Sequence, residues 1–307
     1  MLTGMSTRRG FTLVELILAM VLALFVGGVV HRLLFNGQRL ARAQTERTAL
    51  NDNVRVAALV LAAELGGTGY DEVTPEASAA LGYPAALRSD LLAIDPGAVT
   101  YLADRGGGHV CRVSTAPAVE VVVAEPSWNS PRAPRSTDSL LIFVESDPST
   151  GSDDAWLHFG IMSAGAAICP GGGAGIAIRV AAPAPLDPAV LAGVTDGSPA
   201  RLAEVMQIRY YRSGGKSWLG MRSVSTGEAI QPVAGPLADS SESVRGLTLI
   251  YRDAAGAQTM DPAAVRAVEI ALVGVTDQPI HARDPRHAVV DTFALTTRLA
   301  LRNAPRP

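Results

Sequence analysis

Hydrophobic and polar positions fall along this chain in three regimes. From Phe11 to Val30 nearly every residue is apolar and only Glu15 is charged. About twenty residues of helix, at ~1.5 Å each, cross the hydrocarbon core of a bilayer. From His31 to Leu65 no proline interrupts the chain. Leu50, Val54, Ala57, Leu61 and Leu65 recur at three or four residues, while Arg39, Arg42, Glu46, Arg47, Asn51, Asp52, Arg55 and Glu64 mostly fall off that stripe. This is the period of an amphipathic helix. Together the two segments predict one helix over 11–65, roughly 80 Å long at ~1.5 Å per residue. Gly66-Gly67-Thr68-Gly69 stops it. Gly27-Gly28 is expected to loosen its membrane half, since a glycine costs ~1 kcal/mol against alanine in a helix interior.

Beyond the helix the period drops to two. Apolar and β-branched runs at 119–123, 139–144, 175–180, 205–212, 247–252, 266–275 and 289–301 predict strands. Glycine, proline and polar clusters at 125–137, 145–153, 169–175 and 181–200 predict loops. With few helix signals between strands, the sheet is expected to be mostly antiparallel, which gives an α+β chain with a helical spine and a large β head. No internal repeat of fixed period occurs. The expected organisation is a leader at 1–10, the helix at 11–65, an upper β lobe at 66–180, a Pro- and Ala-rich stretch at 181–200, and a C-terminal β region at 201–307. The 181–200 stretch is either a linker between two lobes or a long loop within one domain.

The one charge in the apolar run carries the functional argument. A carboxylate in hydrocarbon is expensive and needs a partner. Arg8 and Arg9 precede the run, so the positive-inside rule keeps the first residues cytoplasmic and sends the rest outward. Met5 is a second possible start and leaves this unchanged. A secretory signal peptide has a shorter apolar core, ~7–15 residues, followed by a small-residue cleavage site. The string Arg8-Arg9-Gly10-Phe11-Thr12-Leu13-Val14-Glu15 instead resembles the processing signature of type IV pilins and type II secretion pseudopilins. The resemblance implies that a prepilin peptidase cuts after Gly10 on the cytoplasmic face and methylates the new amine of Phe11. It also implies that Glu15, at the fifth mature position, meets the terminal amine of a neighbouring subunit during assembly.

The last third extends the resemblance. Val205 to Tyr211, Trp218 to Arg222, Ser243 to Tyr251, Val265 to Val273 and Thr297 to Asn303 follow one another in an order similar to that of PilW-like minor pilins, as does Gly69-Tyr70 after the spine. Such a subunit is expected to sit in the bacterial inner membrane with its head in the periplasm, and then in an extracellular pilus. The implied partners are other minor pilins and the major pilin, the prepilin peptidase, the inner-membrane assembly platform, and membrane lipid before assembly. The implied role is pilus initiation, with a place at or near the tip. A secretion pseudopilin and a pilus-borne adhesin share the same architecture. Residues 75–200 match no known pattern.

Composition narrows the chemistry. Net charge is −3 with 18% charged residues and no strong basic patch, so no nucleic-acid partner is expected. Cys111 and Cys169 are the two cysteines, both in the exported part, where an oxidising compartment favours pairing them over leaving two free thiols. His109, Cys111, His158 and Cys169 offer nitrogen and sulfur, but at no standard zinc spacing. Asp147-x-Ser149-x-Gly151-x-Asp153-Asp154 lacks the downstream glutamate of a calcium loop and is expected to be a solvated turn. Gly106-Gly107-Gly108 and Gly171-Gly172-Gly173 lack a lysine or the strand–helix frame of a phosphate loop. His281 and His287 lie among loop residues, and Trp128, Trp156 and Trp218 are either contact anchors or, as lone tryptophans more often are, core residues. No catalytic set converges, so neither an enzyme nor a cofactor is expected. Replacement of the leader's last residue, Gly10→Ala, should leave most of the protein unprocessed; intact-mass measurement of the membrane fraction would show the longer chain.

Overall fold

The computed structural model describes residues 12–68, 89–116, 118–144, 149, 155–181, 193–240, 245–280 and 290–301. They divide into two compact units, Met1–Ala49 with Thr276–Asp291, and Leu50–Val275 with Thr292–Pro307. A single helix, α1, runs Leu13–Gly66. It passes through Gly27 and Gly28 without a break, and no atom lies within 4 Å of where either glycine's Cβ would stand. Leu50, Val54, Ala57, Leu61 and Leu65 are its buried residues, the stripe that the period predicts. Before Leu50 none is buried.

In the first unit, the backbone amides of Asp277 and Gln278 donate to the Glu46 carboxylate at 3.1 and 3.3 Å. The Arg47 guanidinium pairs with Asp291 at 2.7 Å, and the Thr276 amide donates to the Asp291 carbonyl.

Among the described residues the second unit holds twelve antiparallel strands: β1 Leu91–Asp95, β2 Ala98–Ser114, β3 Glu120–Ala124, β4 Ser139–Val144, β5 Ala155–Ile168, β6 Ala174–Ala181, β7 Pro199–Ser213, β8 Lys216–Ser223, β9 Gln231–Leu237, β10 Leu247–Arg252, β11 Ala267–Val275 and β12 Thr292–Ala300. The pairing β2-β3-β6-β5-β4-β7 returns to β2, because β7 also pairs with β2. Six strands thus close on themselves and leave no free edge within the ring. Their inward side chains, among them Val121, Leu140, Phe159, Ile178 and Leu202, form one apolar cluster. The outer halves of β2 and β7 leave this ring. They join β1, β8, β9, β11, β10 and β12 in a second layer whose inner face, including Tyr101, Ile208, Tyr251, Ile270 and Leu272, packs on the stripe of α1.

The long β2–β7 ribbon therefore belongs to both clusters, and its register shifts between Asp104 and Gly107, where it passes from one to the other. Gly106 there has φ +111°, and a Cβ on it would run into Ser130 and Asn129. The strands on either side of 181–200 are joined in one hydrogen-bonded network through β7, and Pro199 and Ala200 are strand, not loop. Ala174 and Ala181, also expected in loops, lie in β6.

Cys111 on β2 and Cys169 just past β5 form a disulfide, with Cα atoms 5.7 Å apart and 58 positions of chain between them. A loop of that size stabilises the fold by roughly 4 kcal/mol in the chain-entropy model. Sheet and helix approach closely at Gly274 on β11: a Cβ there would collide with Val54 and Leu50. Gly274→Val should lower unfolding stability by about 1–3 kcal/mol, measured by denaturant unfolding of the full chain in detergent; an unchanged midpoint would contradict this packing.

Candidate functional site

Thr12 precedes the first helical residue, and Glu15 stands at the third helical position. The Thr12 amide and hydroxyl both donate to Glu15 Oε2, at 2.9 and 3.0 Å. The Glu15 amide donates back to Thr12 Oγ1 at 3.3 Å. This is a capping box: threonine and glutamate each satisfy a helix-start donor that has no partner within the helix. The carboxylate also faces the positive end of the helix macrodipole. The sequence reading assigned Glu15 a charge partner and overlooked Thr12, although the spacing Thr12-x-x-Glu15 before an apolar run is itself the signal. From Leu13 to Val30 the large apolar side chains are exposed, on a helix long and apolar enough to cross a membrane. Arg8, Arg9, Gly10 and Phe11 lie outside the described residues.

The remaining candidates resolve differently. With both sulfurs in a disulfide, the ligand set of His109, Cys111, His158 and Cys169 loses its thiolates. His158 lies on β5 with its Nε2 buried and unpartnered, and burial lowers its pKa. Of the acidic string 147–154 only Ser149 is described. His281, His287, Gly69, Tyr70 and the ending Arg302-Asn303 also lie outside the described residues. Gly106 to Gly108 form part of β2, and Gly171 to Gly173 the turn between β5 and β6. Trp128 packs on the ring cluster. Trp156 meets Phe143 edge-on and lies under the Arg201 guanidinium. The Trp218 indole donates to the Ser213 carbonyl.

A charged chain that the sequence did not predict runs along the junction of the two clusters. Ser223 donates to Glu204 Oε1 at 2.5 Å, and Arg105 donates to Oε2 at 2.9 Å. Arg132 reaches the same Oε2 at 3.3 Å and clasps Asp138 with two hydrogen bonds. On the other side Arg105 lies 4.0 Å from Glu64 of α1, which accepts the Tyr101 hydroxyl at 2.6 Å. The signs alternate, so each buried group has its counter-charge, as burial requires. Burial, then the charge and hydrogen bond of Glu64, push the Tyr101 phenol up. Burial also works against ionisation of Glu204. The hydrogen bonds from Ser223 and Arg105 and the charges of Arg105 and Arg132 outweigh it, and hold that carboxyl below the usual carboxylate range. These groups bridge helix, ribbon and ring, and serve to tie the three together.

The prokaryotic N-terminal methylation motif matches residues 5–30. No curated protein and no solved structure matches the chain. The matched motif, with the long N-terminal helix and the antiparallel head behind it, supports a type IV pilin-like or pseudopilin protein. The motif implies assembly with other pilus or pseudopilus components and a prepilin peptidase.

A folded-state pKa held down at Glu204 contributes stability that is complete above the unfolded value. That contribution is lost as the pH falls through the folded value. Unfolding free energy should therefore drop as the pH goes below about 4.5, and Glu204→Gln should flatten that drop. Denaturant titrations at neutral and acid pH would check it; equal slopes in both proteins would contradict the network.

Proposed function

We propose that this protein is a PilW-like minor pilin of a type IV pilus, a non-catalytic subunit that promotes initiation of the filament and sits at or near its tip. In this reading Arg8 and Arg9 hold the leader in the cytoplasm. The peptidase cuts between Gly10 and Phe11 and methylates Phe11. The helix waits in the inner membrane with its head in the periplasm until the assembly platform draws it into a bundle with major and minor pilins. The observation that carries the reading is Glu15, the one charge in an exposed apolar helix that matches the methylation motif. The large head, some 240 residues beyond α1, and the order of its C-terminal strands support the minor-pilin assignment. A type II secretion pseudopilin remains the second reading, because the same motif and helix serve both. Copurification with sheared pili or with a secretion complex separates the two.

The mechanism is a change of partners for one carboxylate. In the inserted chain Glu15 is held by Thr12. A helix cap of this kind is worth ~1 kcal/mol. An uncompensated buried charge costs several times that, about 3–5 kcal/mol. Once the spine enters a bundle, pairing with a neighbour's terminal amine outweighs the cap and fixes the axial register. Glu15→Ala should still be processed and inserted, but its content in isolated pili should fall at least about tenfold, the factor that ~1.4 kcal/mol represents. Quantitative immunoblotting of sheared filaments measures this, and wild-type levels would refute the pairing role.

A further inference from the structure

Four arginines of α1 lie between the apolar run and Leu50, and their partners divide them. Arg47 is engaged by Asp291. Glu46 is the single acidic residue between His31 and Ala49, and its carboxylate accepts the amides of Asp277 and Gln278. Arg32, Arg39 and Arg42 are exposed. Among the described residues no carboxylate pairs with any of the three.

They share a face, because positions 32, 35, 39 and 42 step by three and four. Phe35 lies on that face. The Arg39 guanidinium stands 4.4 Å from its ring centroid, and the His31 ring stacks on it at 6.3 Å. Helical side chains lean toward the N-terminus, and the Arg39–Phe35 contact shows Arg39 doing so. Here that direction is toward the apolar segment.

The axial distances fit a bilayer boundary. Phe35 lies ~33 Å along the helix from Leu13 at about 1.5 Å per residue, against a hydrocarbon core of ~30 Å. Phe35 thus reaches the level where aromatic belts sit. Arg39 and Arg42 start beyond it and reach back, while Arg32 starts at the core's edge and must extend outward to the same layer. These cations stand on the exported side, where the positive-inside rule disfavours them, so sidedness does not account for their presence. A surface of unpaired guanidinium groups at headgroup depth is complementary to phosphate, which arginine binds in a bidentate manner.

We propose that Arg32, Arg39 and Arg42 form a collar that binds the phosphates of anionic phospholipids on the exported side of the membrane, holding the subunit at fixed depth before assembly. The proposal rests on the membrane-inserted reading given above, and its test separates the two. The full-length protein is reconstituted in phosphatidylcholine vesicles, and the association of spin-labelled phosphatidylglycerol is compared with that of spin-labelled phosphatidylcholine. Retention after carbonate washing is measured in parallel. The expected result is an association ratio of about five or more, the effect of one or more arginines acting at the headgroups. It should fall to near one in the triple variant Arg32→Gln/Arg39→Gln/Arg42→Gln, with carbonate resistance unchanged. A wild-type ratio near one, or a ratio unaltered in the variant, overturns the collar while leaving the anchor intact. An unaltered ratio together with loss of copurifying pilin subunits overturns it in favour of acidic residues on a neighbouring protein. Release of the wild-type chain by carbonate removes the membrane reading, and the collar with it.

Discussion

The cover available to α1 constrains everything else in this molecule. Its stripe from Leu50 to Leu65 is sealed by the second β layer. That seal is tight enough that Gly274 has no room for a side chain. Before Leu50 the helix buries nothing, and from Leu13 to Val30 it presents large apolar side chains on all sides. Burying apolar surface is worth roughly 25 cal/mol per Å², so an all-apolar helix of this length finds its stable surroundings in lipid or among other helices. The prokaryotic N-terminal methylation motif matches at the start of this segment, over residues 5–30. The C-terminal part of the helix makes a head, and the N-terminal part makes an anchor.

Glu15 gives that anchor a direction. Placed anywhere else in the apolar run, a carboxylate would face hydrocarbon with no donor at hand. At the third helical position it has the Thr12 amide and hydroxyl and the helix dipole. The arrangement is self-sufficient but weak. It keeps the charge tolerable in a single chain and, in the function proposed above, yields to a stronger cationic partner. The charged chain from Glu64 through Arg105, Glu204 and Arg132 to Asp138 is built on the opposite plan. There every group is permanently matched, and the result is a rigid junction between helix, ribbon and ring.

The helix and the strands with strong β-branched or alternating patterns were legible in the sequence. The five-residue stripe of α1, and β3, β4, β6, β10, β11 and β12, lie where periodicity placed them, within a few residues. The strands that escaped have physical reasons for doing so. β2 carries three successive glycines at the point where the ribbon changes layers. β5 is diluted by Gly160, Gly165 and a run of alanines, and draws its place from pairing on both sides. β9 contains Pro232 and Pro236, which local rules assign to edges, and its pairing with β8 is accordingly irregular. Closure of the ring through β2 and β7 depends on contacts about a hundred residues apart, which no local pattern encodes. At the candidate site the sequence singled out Glu15. Its threonine partner was visible only to a reading of helix caps.

The most direct test of this account is the intact mass of the protein recovered from cell membranes, with fragmentation of its first peptide. The account predicts a chain that begins at Phe11 and carries one methyl group on its α-amine. A chain that still begins at Met1 or Met5, with an unmodified amine, would contradict it.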